Sequence, residues 1–362
     1  MLKRSVVMSL LLVALIAAFG ALAVQAQDPT ATPIPPTATP FVAETGPITQ
    51  RVIDRGSLVC GVNALLPGFG TTNDAGEFSG FDVDICRAVA AAVLGNANAV
   101  EFRAITAAER PTVLASGEVD MISRNSTWTL SRDTEWGATF APTTFYDGQG
   151  VMVTAESGAA TLEDLEGGTI CTNAGTTTEL NMTDAMESRG LEFTLQTFQD
   201  FDQVMAAFYE GRCDAVTTDI SGLVSRQAVA PDPGALSIID IVLSKEPLGP
   251  LTPQSDPQFS DIVRWTVYGL IQAEEYGITS ENVQDFVTSE DPGIQRFLGQ
   301  GGNPSGSYLG IANDFMVTVV TQVGNYGEIF NRNLGPDTIF GLERGVNDLW
   351  TNGGLLYAPP FR

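Results

Sequence analysis

Read for its apolar and polar positions, the chain alternates between short strand-like runs and helical periods. Residues 58–62 form a compact apolar run, the signature of a buried strand. A Gly/Pro-rich loop, Leu66-Pro67-Gly68-Phe69-Gly70, and a turn at Asn73-Asp74-Ala75-Gly76 separate it from the next element. Ile85, Ala88, Val89, Ala92 and Val93 then recur at helical spacing and predict a helix with one buried face. Residues 100–105 predict a second strand, 111–116 part of a second helix and 119–123 a third strand. This alternation belongs to α/β proteins with parallel sheets.

The same grammar returns: a strand at 169–172, a helix from about Thr177, a strand at 192–198, a helix around 204–209 and a strand at 215–218. Both units carry Gly-x-x-Asp ahead of their third strand, as Gly117-Glu118-Val119-Asp120 and Gly211-Arg212-Cys213-Asp214. Polar residues come after that strand in each case, Arg124 and Asn125 in the first unit and Asp219 in the second. Ligands of open parallel sheets bind beyond the carboxyl ends of strands, so two such ends facing each other make a polar-walled cleft. Extended apolar runs at 149–155 and 238–245 flank the second unit and suit the two crossings of a hinge. Helical sequence continues at 259–276, 315–330 and 341–349.

The first residues change the picture. Lys3 and Arg4 precede an apolar run that ends at Val24-Gln25-Ala26, so 1–26 reads as a signal peptide and the protein as exported, to a periplasmic or extracellular compartment. The run is also close to bilayer length, so an uncleaved N-terminal anchor is the alternative. Residues 27–47, rich in Pro and Thr, read as a disordered linker. The remainder is long enough for two domains, placed at 48–152 plus 245–362 for lobe 1 and 153–244 for lobe 2.

With 43 acidic against 18 basic residues, the chain carries a formal charge of −25. Nucleic acid is excluded as a partner, because duplex binding needs a basic face. Four cysteines in an exported chain favour two disulfides. Their division between the halves points to Cys60–Cys86 and Cys171–Cys213, each contributing about 3–4 kcal/mol by loop entropy. Free thiols are the alternative; zinc is disfavoured by the spacing and by the absence of histidine. The same absence removes Ser/His and Cys/His catalytic sets. No cofactor or metal is expected.

What remains is a set of charges suited to a zwitterion. Arg132, just after the third strand, offers a planar fork for a carboxylate with Thr127 nearby; an ordinary ion pair with Asp133 or Glu135 is the alternative. Gly175-Thr176-Thr177-Thr178-Glu179 opens a helix whose N–H groups can seat an anion, and it is equally a helix cap. Asp219 can accept from an ammonium group or cap a helix.

Several segments in order resemble a known family: SGFDVDICRAVAAAVLG, MISRNSTWTLSRD, AGTTTELN, AFYEGRCDAVTTDISGL, EPLGPLTPQSDPQFSDIVRWTVYGLI, VGNYGEIFNRN and GGLLYAPPFR. They are similar to the general L-amino-acid-binding components of polar amino-acid ABC transporters, in bacterial solute-binding protein family 3. The resemblance runs from about Ile48 to Arg362. It implies a periplasmic-binding-protein type II fold, two α/β lobes joined by a two-strand hinge. The implied function is capture of a free L-amino acid by a monomer that closes on it and delivers it to ABC permease subunits. By the same resemblance Arg132 holds the α-carboxylate, helped by Thr127 and the backbone N–H of Thr177, and Asp219 takes the α-ammonium group with Asn125 as a further polar contact. Relatives place an aromatic ring over the ligand where this chain has Leu66, with Phe69 and Phe81 nearby. Arg124 points to an acidic or amide side chain, or else to a structural ion pair. A dehydratase or lyase on the same fold, and a sensory ligand-binding module, are the competing classes.

Overall fold

A computed structural model describes residues 43–362. The signal peptide and most of the 27–47 linker lie outside the described residues; Pro47, counted with the linker, opens the first helix, Pro47–Arg55. Among the described residues no helix is long and apolar enough to cross a membrane.

In chain order the first strands are β1 (Leu58–Val62), β2 (Leu65–Leu66), β3 (Gly70–Thr72), β4 (Phe78–Ser79), β5 (Val100–Ala104), β6 (Met121–Ile122) and β7 (Ala138–Phe140). After them come β8 (Phe145–Thr154), β9 (Thr169–Asn173), β10 (Thr194–Phe198), β11 (Ala215–Asp219), β12 (Leu236–Ile238), β13 (Lys245–Leu248) and β14 (Leu251–Pro253). One sheet runs β5-β1-β6-β14-β7 and the other β10-β9-β11-β8-β12. In each, three strands are parallel and the next is antiparallel, so the two sheets share a plan. β2, β3 and β4 form a separate small antiparallel sheet beside the first.

The shared Gly-x-x-Asp has one physical cause in both units. Gly117 and Gly211 take left-handed φ of 72°, a turn L residues rarely make, and end the preceding helix. The aspartate three residues on then anchors the central strand: Asp120 accepts from Val59 N at 2.8 Å, and Asp214 from Thr169 N at 2.7 Å.

Both disulfides form as expected, Cys60–Cys86 tying β1 to the helix Phe81–Leu94, and Cys171–Cys213 tying β9 to the turn before β11. That helix differs from the one-faced prediction. It is buried almost all round, because the long helix Pro257–Glu275 and the helices Phe315–Val323 and Tyr326–Asn333 cover what the first sheet does not. The helical stretch expected at 315–330 is broken where Asn325 starts a new capping box with Glu328. Residues 341–349 hold only a 3₁₀ turn at Gly345–Asn347, with Gly341 and Gly345 both at positive φ.

The crossings between the sheets are made by β8 and β13. Residues 145–148 of β8 pair with 245–248 of β13, whereas 149–153 pair with β11 in the second sheet. The crossing thus lies a few residues before the 149–155 run expected for it, and 239–244 are not strand. Gly148 sits at the changeover because a Cβ there would lie 2.5 Å from Val242 Cγ1 and 3.2 Å from Ser244 O. Lys245, the only lysine among the described residues, opens β13 and is exposed.

Candidate functional site

A cavity of about 200 Å³ lies where the carboxyl ends of the two sets of parallel strands meet. The first sheet supplies Asn63 after β1, 104–107 at and after the end of β5, and Arg124, Asn125 and Thr127 after β6; the second supplies Asn173 at the end of β9 with Thr176 to Thr178 after it, Asp200 after β10 and Asp219 at the end of β11.

Arg132 sits in a short helix, Leu130–Glu135, capped by Thr129, and is 6% exposed. It makes no ion pair with Asp133 or Glu135: its Nη1 donates to Thr127 O at 3.1 Å, and its guanidinium lies 5.1 Å from the Trp136 ring. Burial lowers its pKa from the usual arginine value, opposed by the charges of Glu246 and Asp219. Arg124 is buried too. Its Nε donates to Ile105 O at 2.7 Å, and its terminal nitrogens have no protein acceptor among the described residues. Desolvation brings its pKa down to about 10, against the pull of Asp82.

Asn125 is the one non-glycine among the described residues with positive φ, at 27°. Its N–H donates to Asp82 Oδ2 at 2.7 Å, and its side-chain amide donates to Asp219 Oδ2 at 3.4 Å, across the cleft. Asp219 begins the helix Ile220–Ala228 but makes no cap hydrogen bond, so its carboxylate is turned to the cavity. Its pKa is raised well above the carboxylate range, first by burial and then by the negative charges of Asp147 and Glu246. In the Gly-Thr-Thr-Thr turn the two roles divide: Thr176 caps the helix Thr177–Glu187 through Glu179 N, while Thr177 reaches Thr127 Oγ1 at 3.3 Å.

Phe69 and Phe81 correct the expectation. Neither lines the cavity. They stack edge-on with Phe145, at 5.2 and 6.1 Å, in the apolar core of the first lobe, with less than 2% exposure. Apolar rings this size are driven inward, and it is Leu65 and Leu66 that line the cavity from this loop.

Three contributors were missed. Arg110, 2% exposed, opens the helix Arg110–Ser116 and ties the sides together by donating to Ser126 Oγ at 3.0 Å and Gly175 O at 3.3 Å. Arg226 pairs with Asp202 and donates to Leu65 O on the opposite wall. Glu246 stands buried in β13. The only sequence signal was charge in apolar surroundings, an acid ahead of Pro247-Leu248 and a basic residue at a helix start.

The profile of the bacterial extracellular solute-binding proteins, family 3, matches residues 58–277. The chain belongs to this family. The family-3 protein is 46% identical over 309 residues to the general L-amino acid-binding periplasmic protein AapJ of Rhizobium johnstonii, covering 85% of this chain and 91% of that one. Identity and coverage are the same with the glutamate/glutamine/aspartate/asparagine-binding protein BztA of Rhodobacter capsulatus. Among solved structures it is similar to an ABC transporter periplasmic binding protein from Brucella ovis with glutathione bound, at 45% identity and a TM-score of 0.84, covering 87% of this chain and 99% of that one. The type II periplasmic-binding fold implied by the sequence motifs is therefore the fold of this solute-binding protein.

Proposed function

We propose that this family-3 protein captures a free L-amino acid, one with an acidic or amide side chain, and hands it to the permease subunits of an ABC importer. The carrying observation is that Arg132 and Asp219, opposite in charge and both buried, line one cavity from the two sheets. In this reading Arg132 and the N–H of Thr177 take the α-carboxylate, Asp219 takes the α-ammonium group with Asn125 beside it, and Arg124 turns its uncommitted nitrogens to the side chain. The bodies that close are 48–152 plus 245–362 and 153–244, adjusted to the β8/β13 crossing. Burial strengthens each charge contact as water leaves. The protein acts as an exported monomer without a catalytic step.

The Brucella neighbour's glutathione supports a second reading, a γ-glutamyl peptide. Such a ligand carries the same free amino-acid end plus a distal carboxylate, for which the terminal nitrogens of Arg124 are available. Calorimetry with L-glutamate, L-glutamine, L-aspartate, L-asparagine and glutathione separates the two. Binding of none of them removes both, and a changing NMR spectrum of the bound compound marks an enzyme instead.

A further inference from the structure

Glu246 gathers hydroxyls from both sides of the cleft. Its Oε2 accepts from Thr127 Oγ1 at 2.6 Å, on the first-sheet side, and from Thr177 Oγ1 at 3.0 Å, on the second. Its Oε1 accepts from Asn181 Nδ2 at 2.8 Å and Ser244 Oγ at 2.5 Å. The side chain is 1% exposed, so these four donors replace water around it. Asn181 belongs to the same helix as Thr177, which gives one carboxylate two ties to the second lobe, one to the first and one to its own crossing segment.

The direction of these bonds has two consequences. A carboxylate can only accept, so the protons of Thr127 and Thr177 are committed to Glu246. Their lone pairs are what remain for the cleft, and both residues line it. Thr127 therefore cannot use its hydroxyl to donate to a ligand carboxylate while this network stands. In addition, a buried carboxylate deprived of its donors is costly, so separating Thr127 from Thr177 leaves Glu246 undersatisfied.

We propose that Glu246 is a positioning residue that fixes both threonine hydroxyls as acceptors toward the ligand and favours the arrangement in which the two lobes are together. The ligand-facing half rests on the amino-acid reading of the cleft; the half concerning the lobes does not.

The test compares wild type with E246Q and E246A. Lobe separation is tracked by fluorescence transfer between labels on the two lobes, without ligand and with saturating L-glutamate. Affinity is measured for L-glutamate and, by competition, for glutarate, which keeps both carboxylates and lacks the ammonium group. The expected result is a smaller fraction of ligand-free E246A with lobes together. In E246A, which leaves both threonine hydroxyls free to turn and donate, L-glutamate affinity is expected to fall roughly 10- to 100-fold while that for glutarate is kept, and E246Q, whose amide oxygen can take the place of Oε2 and keep both hydroxyls, is expected to lose less. Equal losses for L-glutamate and glutarate overturn the orienting role. Unchanged lobe separation in E246A overturns the coupling. A wild type that binds no amino acid removes the amino-acid reading, and the lobe separation then decides on Glu246 alone.

Discussion

β6 runs out into Arg124, Asn125 and Thr127, whereas the corresponding strand of the second sheet, β11, ends on Asp219. Around the first end stand two further arginines, Arg110 and Arg132; around the second stand Asp200 and the N–H groups that open the helix Thr177–Glu187. Strand order, the Gly-x-x-Asp anchor and a disulfide on the central strand are common to both. The scaffold is thus repeated, and its corresponding strand ends differ in charge, Arg124 on the first side against Asp219 on the second, while Glu109 and Arg226 also line the cavity from the first and second sides. On the proposed reading specificity belongs to those ends, and the fold only fixes where they meet.

The sharpest break in that division is Arg132→Ala. It strips the first side of its proposed carboxylate clamp and should cost about 2–5 kcal/mol of binding, roughly 30- to several-thousand-fold by calorimetry. Unchanged affinity would remove Arg132 from the site.

The disulfides test whether the lobes are alike in stability as well as in plan. Serine replacement of Cys60 with Cys86 should cost about 3.5 kcal/mol and of Cys171 with Cys213 about 4 kcal/mol by loop entropy, read from urea melts of each double variant. A loss near zero for either pair means that its lobe is stapled by packing alone.

Asp82 separates the two sides by pH. Burial pushes its pKa from the ordinary 3.8 to about 6, with hydrogen bonds from Asn125 and Ser123 opposing. The folded chain therefore holds that proton more tightly than the unfolded chain. Its stabilising contribution is full below about pH 4, is lost as pH rises through 6, and is flat above. Comparing Asp82→Asn with wild type at pH 4 and 7 should show the gap in unfolding free energy shift by about 1–3 kcal/mol, and a constant gap would contradict it.

On the opposite side, Asp219 has its pKa raised in the ligand-free chain, and an ammonium ligand favours its charged form. Affinity should therefore fall on acidification, by up to about tenfold per pH unit once Asp219 protonates. Calorimetry across pH 5–8 checks this, and a rise toward low pH would reverse the assignment. The smallest effect is expected from Arg124→Met, about tenfold against acidic ligands and little against L-alanine.

The sheets, both disulfides and the polar strand ends could be read from the sequence, because apolar periodicity and paired motifs are local signals. The placement of Arg132 and Asp219 at one cavity was legible for the same reason, since both lie next to strands that could be recognised. Phe69 and Phe81 were misassigned because proximity in a loop says nothing of which way a ring turns; core packing with Phe145 decides that. Glu246 and Arg110 stayed hidden because what ties them to the opposite side of the cleft is a partner more than 60 residues away. The helix Phe81–Leu94 looked one-faced because its outer covering is built from the far C-terminal part of the chain.

Lys245 stands exposed at the start of β13, in the segment that crosses between the lobes, and no other described residue carries a side-chain amine. Among the described residues an amine-reactive, environment-sensitive dye will therefore attach at one side chain, on the crossing segment itself. No cysteine needs to be engineered and neither disulfide is put at risk of exchange, so the proposed closure of the lobes can be followed optically from this segment without changing its sequence.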